Sequence, residues 1–79
     1  MELPLADKSL DARQLNCPLP ILKATKALKE VAVGGTLEVL ATDPGSAGDF
    51  EAFCRVGRHE MLEESHTDGV FRFLIRRGR

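Results

Sequence analysis

The chain has 79 residues, enough for one domain with a thin core, which excludes a deep enclosed pocket holding several catalytic groups. Eleven Lys and Arg against twelve Asp and Glu leave it near neutral, and this argues against a strong nucleic-acid footprint. No segment approaches the length of a membrane span and no leader-like pattern opens the chain, so a cytoplasmic protein with reduced cysteines is expected.

In chain order, Leu10 and Ala12 alternate with Ser9, Asp11 and Arg13, which predicts a short first strand. Residues Pro20 to Ala32 read as a helix with Ile21, Ala24, Leu28 and Val31 on one stripe, ended by Gly34-Gly35. A second strand follows at Thr36 to Ala41, with Leu37, Val39 and Ala41 facing one way. Asp43-Pro44 predicts a helix opening, an N-cap followed by proline at the first position. Ala47, Phe50, Phe53 and Cys54 supply that helix's buried face, and Gly57 closes it. His59 to Thr67 and Val70 to Arg77 read as strands joined through the hairpin signal Asp68-Gly69, with Phe71, Phe73 and Ile75 inward.

The predicted fold is therefore an α/β (α+β) two-layer sandwich of order β-α-β-α-β-β, a single domain over residues 1–79 with a four-stranded mixed sheet. Right-handed crossovers place both helices on one face. The other face would show Ser9, Asp11, Glu38, Leu40, Arg72, Leu74 and Arg76, a mixed surface on which a partner could dock.

Cys17, in the run Asn16-Cys17-Pro18-Leu19-Pro20, is the candidate for chemistry. A residue before proline is pushed away from the helical region, so Cys17 should be extended and the helix should begin at Pro18 or Pro20. Either start leaves the thiol near the positive end of a helix dipole and its unpaired N–H groups. Such settings bring a thiol pKa to roughly 3.5–7.5, against about 8.5 for a free one. With two N–H groups removed by proline, those of Leu19 and Ile21 are the expected donors to sulfur. The bland alternative, a small buried residue, fits Cys54, which recurs at helical spacing within an apolar stripe.

The two cysteines are not expected to pair. They sit at opposite ends of successive, roughly parallel helices, about 18 Å apart for a dozen residues, whereas a disulfide needs Cα atoms within about 7 Å. With no Cys-x-x-Cys pair either, a thiol redox protein is disfavoured. Metal binding is not expected, since no Cys or His pair has zinc-like spacing and His59 and His66 would face opposite sides of a regular strand. The turn Thr42-Asp43-Pro44-Gly45-Ser46 lacks the second glycine and the lysine of a phosphate loop. It lies at the sheet edge that carries Cys17, where open α/β sheets place their sites. Asp43 can cap its helix there or form one wall of a sulfur site. No Ser-His-Asp arrangement is recognisable, and Glu60, Glu63 and Glu64 read as solvated strand surface.

Leu10-Asp11-Ala12-Arg13 and Leu15-Asn16-Cys17-Pro18-Leu19-Pro20 resemble the opening signature of the TusA/SirA family of small sulfur carriers. Asp43-Pro44, Asp49, Phe53-Cys54, His59-Glu60 and the ending Phe73-Leu74-Ile75-Arg76-Arg77 extend the resemblance over essentially the whole chain. It implies the same β-α-β-α-β-β fold and a persulfide carried on Cys17, with Asn16, Pro18, Leu19, Pro20 and Asp43 as the surrounding wall. No other cofactor and no metal is implied. The implied partners are a sulfur donor, a cysteine desulfurase or a rhodanese, and an acceptor protein's cysteine. The family's routes include tRNA thiolation, molybdenum-cofactor supply and sulfur oxidation. A monomer meeting these partners in transient complexes is expected.

Two positions depart from the family pattern. Gln14 stands where members usually carry glycine, and Leu19 is apolar where the tRNA-thiolating branch often has an acidic residue; with the Ala41–Ser46 segment, this resembles the sulfur-oxidation branch. Lys23 could steer an acidic partner or simply be solvated helix surface. The competing reading is a regulatory or RNA-contacting interaction module without sulfur transfer, whose two-layer fold resembles the C-terminal domain of a translation initiation factor. The basic ending Arg76-Arg77-Gly78-Arg79 supports that reading and the near-neutral net charge opposes it.

Overall fold

A computed structural model describes residues 6–79; residues 1–5, included in the single-domain expectation, lie outside the described residues. The element order is β1 (Lys8–Ala12), α1 (Leu19–Leu28), β2 (Thr36–Ala41), α2 (Ser46–Gly57), β3 (Glu60–Thr67) and β4 (Val70–Arg76). One four-stranded sheet has the order β1-β2-β4-β3. β1 runs parallel to β2, whereas β4 lies antiparallel between β2 and β3. α1 packs on β1 and β2, α2 packs on β3 and β4, and the two helices touch each other.

The core lies between the helices and the sheet. Leu37, Val39 and Ala41 are fully buried on β2, as are Phe73 and Ile75 on β4. Phe50 of α2 stacks on Phe73 with ring centroids 4.8 Å apart and meets Phe53 edge-on at 5.9 Å. Cys54 is buried in the same layer, and Ala47, Phe53 and Phe71 pack against it half-buried.

Both helices differ from expectation at their ends. α1 begins at Leu19, one residue before Pro20, and closes at Leu28 rather than Ala32. Its last turn tightens, because Lys29, Glu30 and Val31 donate to carbonyls three residues back rather than four. Val31 still reaches the core from that turn, 4% exposed. In α2 the cap is Gly45, not Asp43. Asp43 accepts twice ahead of the helix, from the Gly45 N–H on its carboxylate (3.0 Å) and from the Ser46 N–H on its carbonyl (3.0 Å). The aspartate thus makes its own turn and delays the helix to Ser46. At the far end the left-handed position belongs to Arg58 (φ 61°), one residue beyond Gly57.

The face away from the helices is tied together by ion pairs. Arg72 bonds Glu38 of β2 at 2.6 Å and Glu63 of β3 at 2.9 Å, Ser9 bonds Glu38 at 3.2 Å, and Arg76 bonds Glu60. A register shift between Met61 and Glu63 brings Glu63 opposite Leu74. Two of the glutamates expected to be merely solvated are therefore cross-strand partners of arginine.

Candidate functional site

The loop between β1 and α1 is held by side-chain and backbone hydrogen bonds. Arg13 clamps Asp11 through its N–H (3.1 Å), Nε (2.9 Å) and Nη2 (2.8 Å), and this holds the Asp11 carboxyl down at about 2. Gln14 then adopts φ 67°, in the left-handed region that glycine occupies at little cost. Its N–H donates to Thr42 Oγ1 at 2.8 Å. The loop bearing Cys17 is thereby pinned to the loop bearing Asp43. Leu15 bonds back to Ala12, and the Leu19 N–H donates to the Asn16 carbonyl at 2.8 Å.

Cys17 is exposed, with its thiol free, two residues before α1; the Cys17–Pro18 bond is cis. Asn16, Pro18 and Leu19 are exposed beside it. Pro20 is buried under the first turn, so it braces the helix from the core side and forms no wall of the site. Leu19 (45% exposed) and Leu22 (58%) leave apolar surface on the first turns of α1, two and five residues after Cys17. Lys23 is exposed farther along, over a hollow shared with Lys8, Leu10, Lys26, Ala27 and Glu30.

The electrostatics reverse the expected thiolate. The Cys17 pKa is raised: the nearby Asp49 carboxylate, as a hydrogen-bond acceptor for the thiol proton, is the largest cause, followed by desolvation and then by the negative charges of Asp49 and Asp43. The Leu19 N–H, one of the two expected donors, is consumed by the Asn16 carbonyl. Hydrogen bonding to the neutral form and like charge nearby both favour a protonated sulfur. At neutral pH Cys17 therefore holds less thiolate than the few per cent of an ordinary cysteine.

Asp49 was not among the site residues read from sequence. It stands in the first turn of α2, and its carboxylate approaches Gly45, as does that of Asp43. A Cβ at Gly45 would lie 3.2 Å from Asp43 Oδ2 and 3.8 Å from Asp49 Oδ2. The available signal was positional: an acidic residue opening the second helix at the edge that carries Cys17. Asp43, read as a wall, does lie within electrostatic reach of the sulfur.

Cys54 behaves as a core residue, 5% exposed, its thiol pushed up to about 11 chiefly by burial. The histidines serve packing. His66 stacks on Phe71 with centroids 4.0 Å apart, while His59 lies 5.5 Å from Phe53 and accepts from the Gly78 N–H at 3.0 Å. Among the described residues no three His, Cys, Asp or Glu side chains converge as a metal site, and no helix is long and apolar enough to cross a membrane.

Comparison with known proteins adds four likenesses. Residues 8–77 match the family described as Sulfurtransferase TusA. A Neisseria meningitidis protein provisionally named a sulfur carrier is 53% identical over 68 residues, covering 86% of this chain and 92% of its own. The sulfur carrier protein TusA of Allochromatium vinosum is 49% identical over 71 residues, covering 90% and 93%. The crystal structure of a SirA-like protein from Desulfitobacterium hafniense superposes with a TM-score of 0.79 at 28% identity, covering 91% of this chain and 99% of that one.

Proposed function

Because the chain belongs to the TusA sulfurtransferase family, a family of sulfur carriers, we propose that Cys17 is the sulfur-bearing residue and holds its cargo as a persulfide. The thiol loses its proton to solvent or to the incoming donor, and its thiolate attacks the outer sulfur of a donor persulfide. The donor's S–S bond breaks as the new one forms on Cys17, and the donor cysteine leaves as thiolate. An acceptor thiolate then attacks the outer sulfur on Cys17 in the same way. Sulfane sulfur moves, with no net oxidation or reduction.

The observation that carries this reading is the exposed thiol of Cys17, with the only other cysteine buried in the core. Exposure lets two different proteins reach the same sulfur in turn. The absence of a second accessible thiol leaves nothing within the described chain to convert the persulfide into an internal disulfide. The outer sulfur stands roughly 2 Å beyond Sγ. A cysteine desulfurase or rhodanese suits the donor role, and an acceptor protein's cysteine the receiving one; the exposed Leu19 and Leu22 offer apolar contact beside the transfer point.

Intact mass after incubation with a persulfide donor tests the proposal. Wild-type protein and Cys54→Ala should gain the mass of one sulfur atom, reversibly on reduction, and Cys17→Ser should gain none. Unmodified wild-type protein under a donor that loads another carrier would sink it.

A further inference from the structure

A second feature lies toward the opposite end of α1 from Cys17. A cavity of about 220 Å³ opens between the C-terminal half of α1, the end of α2 and the segment after β4, lined by Thr25, Leu28, Lys29, Phe53, Gly57, His59, Arg77 and Arg79. Lys29, Arg77 and Arg79 bring three cations to it, and no Asp or Glu side chain lines it. Arg72 and Arg76 of β4 and Arg13 of the β1–α1 loop are each paired with a carboxylate, whereas Arg55 and Arg58, outside this cavity, are not paired among the described residues. None of Lys29, Arg77 and Arg79 pairs with an Asp or Glu side chain among the described residues.

Arg77 is held in place there. Its Nη1 donates to the Val31 carbonyl at 2.6 Å and its Nε to the main-chain oxygen of Arg79 at 2.9 Å. Gly34 and Gly35 pair with the Arg77 backbone at 2.8 Å on either side. The guanidinium is thus fixed before any ligand arrives, which reduces the ordering cost of binding. His59 responds to the local field: its pKa is lowered by desolvation, then by the charges of Arg77 and Arg79. The carbonyl end of α1 opposes an anion with about half a charge at most, less than three cations supply.

We propose that this cavity binds a small organic anion, a phosphate or carboxylate head set among Lys29, Arg77 and Arg79 with an apolar body against Leu28 and Phe53. The volume sets the scale: a cavity of about 220 Å³ has room for a single ring or short chain. The site is separate from the sulfur chemistry and shares no residue with it.

Titration of the ¹⁵N-labelled full chain with phenyl phosphate, benzoate and inorganic phosphate at low ionic strength tests this. Expected are saturating shifts of the Lys29, Gly57 and Gly78 amides and a higher-pH titration of the His59 ring once the ligand neutralises the nearby cations. The better aryl ligand should bind about tenfold tighter than inorganic phosphate through the buried ring, and its identity distinguishes a phosphate head from a carboxylate. Lys29→Ala with Arg79→Ala should weaken binding about tenfold or more; both side chains are exposed, so the fold is not at stake. Cys17→Ser should leave it unchanged. The proposal is overturned by shifts that never saturate, by shifts centred elsewhere, by an affinity indifferent to the double substitution, or by an aryl ligand no tighter than inorganic phosphate.

Discussion

Asp49 keeps the proton on Cys17, and removing its charge should release it. Asp49→Asn is expected to lower the Cys17 pKa and speed alkylation by iodoacetamide severalfold at neutral pH, read as the rate against pH; an unchanged profile would mean that Asp49 does not govern the sulfur. The sign follows from the cause, since the carboxylate favours the thiol over the thiolate. Gln14 offers a second test in the same loop. At φ 67° it carries the steric cost of a Cβ in the left-handed region. Gln14→Gly should raise stability by about 0.5–1 kcal/mol, less than the full strain because glycine also loosens the unfolded chain, measured as a higher urea midpoint at unchanged slope. The address of Cys17 was legible in the sequence because prolines and a helix start are local signals. Its acidity was not, because Asp43 and Asp49 reach it only through the parallel pairing of β1 with β2 and the turn that follows β2.

At the scale of the elements, β4 carries the molecule: it lies between β2 and β3 and presents opposite characters to its two faces. Phe73 and Ile75 are fully buried beneath the helices, while Arg72 joins Glu38 and Glu63 on the other side. The Arg72 side chain is only 23% exposed, so its pairs are less screened than ordinary surface ones. Arg72→Ala should cost about 1–2 kcal/mol in chemical denaturation, with a smaller loss at high salt; a salt-independent loss would assign the effect to packing instead. The alternation in β2 and β4 made their inward sets readable from the sequence. β3 was harder, since the run Glu60–Thr67 is almost wholly exposed and has no apolar alternation from which a register could be read. The shift at Met61/Glu63, which puts Glu63 within reach of Arg72, is set by pairing with β4 and leaves no local mark. The capping role expected of Asp43 failed for a related reason: an aspartate before proline and glycine closes a turn as readily as it opens a helix.

The whole molecule is small enough for single ionisations to matter to its stability. Cys54 titrates near 11 in the fold against an ordinary 9.0, so the unfolded chain releases this proton first as pH rises. Its contribution is fully present below pH 9 and is lost on the way to about 11. Cys17, also raised, acts in the same direction. The melting temperature should therefore fall over this range, and Cys54→Ala on a Cys17→Ser background should flatten the fall despite lowering the starting value. An undiminished slope would show that other groups dominate. The raised acidity limit of Cys17 has one more effect, which belongs to the history of the chain. A newly made polypeptide has neither Asp43 nor Asp49 beside its cysteine, and peroxide attacks that thiol as it would a free one. Once β1 closes on β2 and α2 sets its first turn, the sulfur is held as thiol, the form slow to enter the ladder from sulfenic to sulfinic acid. Folding is thus expected to slow oxidation of the cysteine, and peroxide labelling of the unfolded chain should outpace that of the folded one.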